Sequence, residues 1–221
     1  MIRLATLALL SVVCLMRPAA ASEPVAGDFV LPGTFSEQTA VADLESRFGK
    51  ANVRIVEPAN GDEARHVVLF ADDPTRRAFV EFHDAATLTG VRSISVRDAG
   101  SRWRGKHGAR IGMSLAELRE RNGKPFYFSG LDDEGAGVVQ DQWSPALDDE
   151  DGTLGAFDVE EGDRMYFGVE LGPRGPAGGL PADATPHDEA SVSSDDPRYP
   201  RLGELIEVKG INATTSLDDE W

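Results

Sequence analysis

The sequence predicts an α+β protein made of two tandem units, each a short helix packed on an antiparallel β-sheet. Three observations lead there. A nine-residue stretch, Ala42-Asp43-Leu44-Glu45-Ser46-Arg47-Phe48-Gly49-Lys50, returns as Ala116-Glu117-Leu118-Arg119-Glu120-Arg121-Asn122-Gly123-Lys124, with Leu44 and Leu118 set 74 residues apart. Both copies carry helix periodicity and a glycine stop. Each is followed by short β-branched and aromatic runs separated by Gly, Asp, Asn and Pro. A single repetition at this spacing means two copies of one supersecondary unit, not a solenoid.

In the first helix Val41, Leu44 and Phe48 form one apolar stripe, and Gly49 ends it. In the second, Ser114-Leu115-Ala116-Glu117 has the spacing of a capping box, Leu115 and Leu118 share a face, Gly123 stops the helix and Pro125 forbids a restart. Helices of two or three turns are unstable alone in water, so both must pack on something. The strands expected in the first unit are Val53–Glu57, His66–Phe70, Ala78–Phe82 and Val91–Arg97. Those of the second are Phe126–Ser129, Val138–Trp143, Leu154–Val159 and Met165–Leu171, the last matching Val91–Arg97 at the same offset. Asn60-Gly61 and Asp151-Gly152 are hairpin-turn dipeptides.

The units span 39–100 and 111–171, with a basic linker over 101–110 and an N-terminal extension over 22–38. Gly172–Pro200 holds six Pro, four Gly and five acids with almost no large apolar side chain, which predicts a flexible excursion. Over 201–221 a final strand at Leu205-Ile206-Glu207-Val208 precedes an acidic tail.

Residues 1–21 have the form of a secretory signal peptide. Met1-Ile2-Arg3 is the basic start, Leu4–Met16 the apolar run and Ala19-Ala20-Ala21 the small-residue exit, which predicts cleavage after Ala21 and a periplasmic or secreted protein. The run is short for a bilayer-spanning helix, so no spanning segment is expected. Cleavage would remove Cys14, the only cysteine, and with it any thiol nucleophile, Cys-ligated zinc or iron–sulfur cluster. The 221 residues carry 22 Lys+Arg against 38 Asp+Glu, a net charge of −16 that loss of Arg3 and Arg17 would make still more negative. Such a surplus of carboxylates argues against nucleic acid as a partner, because that binding rests on phosphate neutralisation.

Ile111-Gly112-Met113-Ser114-Leu115-Ala116-Glu117-Leu118, closed by Gly123-Lys124-Pro125, resembles the motif of the SmpA/OmlA (BamE-like) family. Two such units in tandem resemble the beta-lactamase-inhibitor type of paired helix-plus-sheet repeat. The resemblance extends over Thr39 to Leu171. It implies a bacterial envelope or secreted protein whose sheet surface binds other proteins, with no catalytic residues to carry over. The chain departs from those patterns in lacking a lipid-anchor cysteine and disulfides, and in having Ala51 where the second copy has Pro125.

Three groups of residues are candidates for chemistry. Glu81-Phe82-His83-Asp84 holds acid–base side chains, but on a strand Glu81 and His83 share the face opposite Phe82, which predicts two solvated groups over one core residue. Asp149, Asp151, Gly152 and Asp158 fit four places of a calcium-binding loop, whose first ligand position is filled by Leu147. Solvated turn acids are the plainer account, so no metal or other cofactor is expected. Arg102, Trp103, Arg104, Lys106 and Arg110 cluster in the inter-unit linker of an otherwise acidic chain. Arg and Trp are typical of binding hot spots. The competing account is a linker whose cations pair with nearby acids and whose Trp packs under the sheet.

The leading functional expectation is a non-enzymatic periplasmic or secreted protein that binds another envelope or secreted protein through its sheet face and linker. A secreted hydrolase using carboxylates or His83 is the second reading, and a calcium-dependent binding module the third. An exposed apolar and aromatic surface would favour the first. Polar groups gathered in one pocket would favour the second.

Overall fold

A computed structural model describes residues 29–58, 64–131, 136–140, 143, 155–158, 165–175, 180–181, 183–187 and 189–215. The elements are α1 (Val41–Phe48), β1 (Val53–Val56), β2 (His66–Leu69), β3 (Ala78–Asp84), β4 (Thr89–Val96), α2 (Leu115–Asn122), β5 (Tyr127–Phe128), β6 (Gly137–Val138), β7 (Tyr166–Pro173), β8 (Val192–Ser193), α3 (Leu202–Leu205) and β9 (Ile206–Thr214). The fold is α+β and dominated by sheet.

Both predicted helices form, and each is capped by one half of a capping box. At α1 the Ala40 N–H donates to the Asp43 carboxylate at 2.8 Å. At α2 the Ser114 hydroxyl accepts the Glu117 N–H at 3.2 Å. The return arm expected of Glu117 is not made, because its carboxylate faces the Arg110 and Arg121 guanidinium groups at 3.3 and 3.2 Å. Gly123 takes the left-handed conformation (φ 79°, ψ −5°) and donates its N–H to the Arg119 and Glu120 carbonyls, closing α2 where a side chain would be strained. Leu44 and Phe48 of α1, and Leu115 and Leu118 of α2, are buried.

Seven strands form one antiparallel sheet in the order β1-β2-β3-β4-β9-β7-β6. All four strands expected of the first unit are present, because Ala78–Asp84 and Thr89–Val96 alternate between buried and outward side chains. The second half departs from expectation. Gly155–Asp158 is a turn, not a strand, docked on the end of α2 by the Ala156 N–H donating to the Asn122 carbonyl at 3.0 Å. The last strand, β9, enters the middle of the sheet between β4 and β7. Val91–Arg97 and Met165–Leu171 therefore do not occupy matching places: β9 is the strand beside β4, and β7 lies beyond it. One continuous cluster of buried side chains runs beneath the sheet from Phe29 to Ala213 and takes in the inward residues of both helices.

Two further expectations are corrected. The Gly172–Pro200 excursion is in good part packed. Val192 and Ser193 pair with Phe128 and Tyr127, and Thr185, Val192 and Ser194 are buried. The Ser194 hydroxyl accepts the Phe126 N–H at 3.0 Å, and its carbonyl accepts Arg119 at 2.7 Å. A segment poor in apolar residues is ordered here by satisfied polar groups. Arg198 bonds Asp196 and Glu189, and the Tyr199 hydroxyl donates to Glu189 at 2.6 Å. The Tyr199 hydroxyl and Arg198 hold the Glu189 carboxyl below the usual range, and Arg198 does the same to Asp196.

The 101–110 linker is likewise part of the core. Ser101, Trp103 and Gly105 point inward while Arg102 and Arg104 point out, the alternation of an extended strand. Gly105 is required by close approach: a Cβ there would lie 2.1 Å from the Phe167 ring. The N-terminal extension joins the same core through Phe29, Leu31 and Phe35. Asn60-Gly61, Asp151-Gly152, residues 1–21 and the tail from Ser216 lie outside the described residues.

Candidate binding face

The helices and the linker cover one face of the sheet, and the outward side chains of the central strands form the other. Pairing register arranges these into rows. Phe79 of β3 lies opposite Ser95 of β4, Ser95 opposite Asn212 of β9, and Asn212 opposite Gly168 of β7. In the next row Glu81, Ser93, Thr214 and Tyr166 follow one another in the same order. Glu170 and Val138 are opposed further along β7 and β6. Over this surface lies an open trough of about 580 Å³ lined by Phe79, Glu81, Ser95, Arg97, Glu170 and Asn212 among others. A smaller depression of about 100 Å³ adjoins it and shares Asn212 and Thr214.

The four large apolar or aromatic side chains with substantial exposure among the described residues are Ile55 (41%), Phe79 (36%), Val138 (52%) and Tyr166 (39%). Phe79, Val138 and Tyr166 occupy outward positions of this face, and Ile55 sits on the edge strand β1. The charges between them are paired. Arg97 holds Glu170 through two hydrogen bonds of 2.6 and 3.0 Å, Arg92 holds Glu81 at 2.9 Å, and Arg77 holds Asp98 in a two-point contact. Bonding to Glu170 raises the Arg97 pKa, and bonding to Asp98 raises that of Arg77.

The linker residues are placed differently from a shared binding patch. Trp103 is 0% exposed and packs against Phe29, Phe35 and Phe48, and its indole N–H donates to the Arg76 carbonyl at 2.8 Å. It is a core residue, which corrects its assignment as a surface anchor. Arg102 lies 5.0 Å over the Phe29 ring. Arg104 donates to the Ser101 and Trp103 carbonyls at 2.8 and 2.7 Å, Lys106 donates to the Asp158 carbonyl, and Arg110 faces Glu117. Arg102 and Arg104 remain exposed.

The turn that receives the Trp103 indole is itself braced. The Asp73 carboxylate accepts the Thr75 hydroxyl at 2.7 Å and N–H at 2.9 Å, and Arg76 at 2.6 Å, which lowers its pKa to about 2. A depressed carboxyl stabilises the fold fully above its unfolded value, and that contribution is lost as pH falls through the folded value. A carboxyl-detected NMR titration is expected to place the Asp73 midpoint near 2, with the Trp103 indole proton shifting along with it. An Asp73 midpoint at the ordinary value of 3.8 contradicts this bracing.

The Glu81–His83 pair sits as expected, with Phe82 buried between two exposed residues. Glu81 accepts from Arg92 and Ser93, while His83 Nε2 lies 2.8 Å from the Thr215 hydroxyl, so the two bond to different neighbours. Asp158 is buried, and Asp149 and Asp151 lie outside the described residues. Among the described residues no three His, Cys, Asp or Glu side chains gather where a metal ion would fit. No described helix is long and apolar enough to cross a membrane.

Sequence reasoning expected a sheet face to bind but did not name Phe79, Val138 or Tyr166 on it. The signal for the first was present in the strand alternation, which sets Phe79 out of phase with Val80 and Phe82 and so marks it as an outward aromatic. Comparison with family models, curated proteins and solved structures finds no match for this chain.

Proposed function

We propose that this is a non-enzymatic periplasmic or secreted protein, exported by cleavage after Ala21, whose uncovered sheet face binds another envelope or secreted protein. The observation that carries the reading is the placement of Phe79, Val138 and Tyr166 on one face that no described helix covers. Exposed aromatics beside paired charges have the composition of a recognition surface, with side chains for apolar contact and polar groups that set register. The net charge of −16 favours a basic partner, drawn in by long-range attraction.

Capture from envelope extract by the tagged chain tests this. A Phe79→Ser/Tyr166→Ser double variant is expected to lose the captured protein while keeping its melting temperature, because both side chains are already partly in water. Changing Arg102, Arg104 and Lys106 to Ser is expected to lower stability only modestly, by about 1 kcal/mol each, because what is lost is one ring contact at Phe29 and hydrogen bonds to the Ser101, Trp103 and Asp158 carbonyls. If these cations extend the surface toward an acidic patch on the partner, that triple change slows association in a salt-dependent way. Retention of the same protein by the double variant contradicts the proposal.

The two halves read as copies of one helix-and-meander unit. α1 precedes β1 to β4 in consecutive pairing. α2 precedes β5, β6, β7 and β9, with β5 joined to β6 by the Phe128–Val139 bridge. The final strands, β4 and β9, pair antiparallel at the seam. Each carries one extra residue, Arg92 or Lys209, where its neighbour's register shifts after a glutamate (Glu81/Phe82 and Glu170/Leu171). A bulge at the corresponding place in each half supports this reading, since bulges are placed features of a sheet and not defects.

A further inference from the structure

We propose that the centre of the open face is a binding site for a neutral oligosaccharide, a proposal that rests on this face being the recognition surface but not on the partner there being a protein. The floor of the trough is a ladder of short neutral polar side chains across the seam, Ser95 opposite Asn212 and Ser93 opposite Thr214. The Ser93 hydroxyl is engaged by Glu81 at 2.8 Å. The side chains of Ser95, Asn212 and Thr214 make no hydrogen bond among the described residues. Together they offer two hydroxyls and a carboxamide, with free donors and acceptors, on one patch.

Aromatic side chains flank those residues on both sides, Phe79 within the trough and Tyr166 in the smaller depression that meets it at Asn212 and Thr214. Phe79 stands next to Ser95 on β3, and Tyr166 stands next to Thr214 on β7, both partly exposed. Opposite Asn212 the position is Gly168, where a Cβ would lie 2.3 Å from the Asn212 Oδ1. The carboxamide thus leans across a residue that has no side chain, in space any other amino acid would fill. A sugar ring presents hydroxyls at its rim and C–H groups on its faces. Hydroxyls match the Ser, Thr and Asn floor, and C–H faces match the aromatic flanks.

The charges of the site favour a neutral ligand. Arg97, Arg92 and Arg77 are each paired with a carboxylate, so the opposite charges largely cancel over the trough and an ionic ligand gains less there than beside an unpaired charge. The trough of about 580 Å³ lies within the roughly 300–1,000 Å³ of small-ligand clefts.

Probing the intact chain on an array of neutral and anionic oligosaccharides, then titrating the best neutral one by calorimetry, tests the proposal. At least one neutral oligosaccharide is expected to bind, with affinity little changed between low and high salt. Asn212→Ala is expected to weaken it about tenfold, the effect of losing one or two hydrogen bonds. Tyr166→Ala, at an exposed side chain, serves as the second variant should Asn212→Ala alter the fold. Absence of any neutral binder, binding of anionic sugars alone, or binding unaffected by both substitutions overturns it. The outcome is separable from protein capture. Loss of capture by the Phe79/Tyr166 variant with an empty array removes only the carbohydrate site. Sugar binding with capture unaffected removes only the protein partner.

Discussion

Trp103→Ala is expected to destabilise the protein by about 3–5 kcal/mol, the usual cost of emptying a large aromatic site in a core. The indole has no exposed surface, meets Phe29 edge-on at 5.3 Å between ring centroids, and touches Phe35 and Phe48 besides. Truncation also orphans the Arg76 carbonyl that accepts the indole N–H. The loss reaches three separate segments, since Phe29 belongs to the N-terminal extension, Phe48 to α1 and Arg76 to the turn before β3. Denaturant unfolding followed by circular dichroism measures it. A cost under about 1 kcal/mol, the level of a surface change, contradicts the placement of Trp103.

Leu44→Ala and Leu118→Ala are each expected to cost about 2–5 kcal/mol. Both leucines are buried at the middle of the apolar stripe of their helix, and both helices have eight residues. If the halves are copies of one unit, the two costs are similar, because the same methyl groups leave equivalent sites under the same sheet. The helices differ in one respect: α2 also packs against α3, where Gly203 meets Ala116. A cost for one several-fold below the other, measured by the same unfolding assay, contradicts the equivalence of the halves.

What was legible in the sequence follows how local each signal is. The helices were readable because their stripe, cap and stop lie within ten residues, and β3 and β4 because alternation is a property of a single strand. The central position of β9 was not, since nothing in Ile206–Thr214 says which strands will flank it. Its insertion between β4 and β7 is fixed by contacts more than a hundred residues apart for β4. Phe29, Leu31 and Phe35 form a visible apolar group, but they stand outside the repeat and carry no periodicity long enough to assign. For the linker, composition pointed to a hot spot, and the in-and-out placement of Trp103 between Arg102 and Arg104 became visible only in the structure, because three residues are too few to establish a strand period. The order in the 183–187 and 189–200 stretches rests on Arg198 and Ser194, whose partners are not apolar, so a measure of hydrophobicity passes over them.

The proposed recognition face was harder still, because it is assembled from one to three residues on each of five strands. Phe79, Ser95, Asn212 and Gly168 form a row only once pairing register is known. Its most direct test is hydroxyl-radical footprinting of the protein alone and in complex with the partner it captures. The account predicts that Phe79 and Tyr166 lose reactivity in the complex while the buried Trp103 stays unreactive in both states. Unchanged reactivity at Phe79 and Tyr166, with protection confined to the Arg102–Arg110 segment, contradicts it.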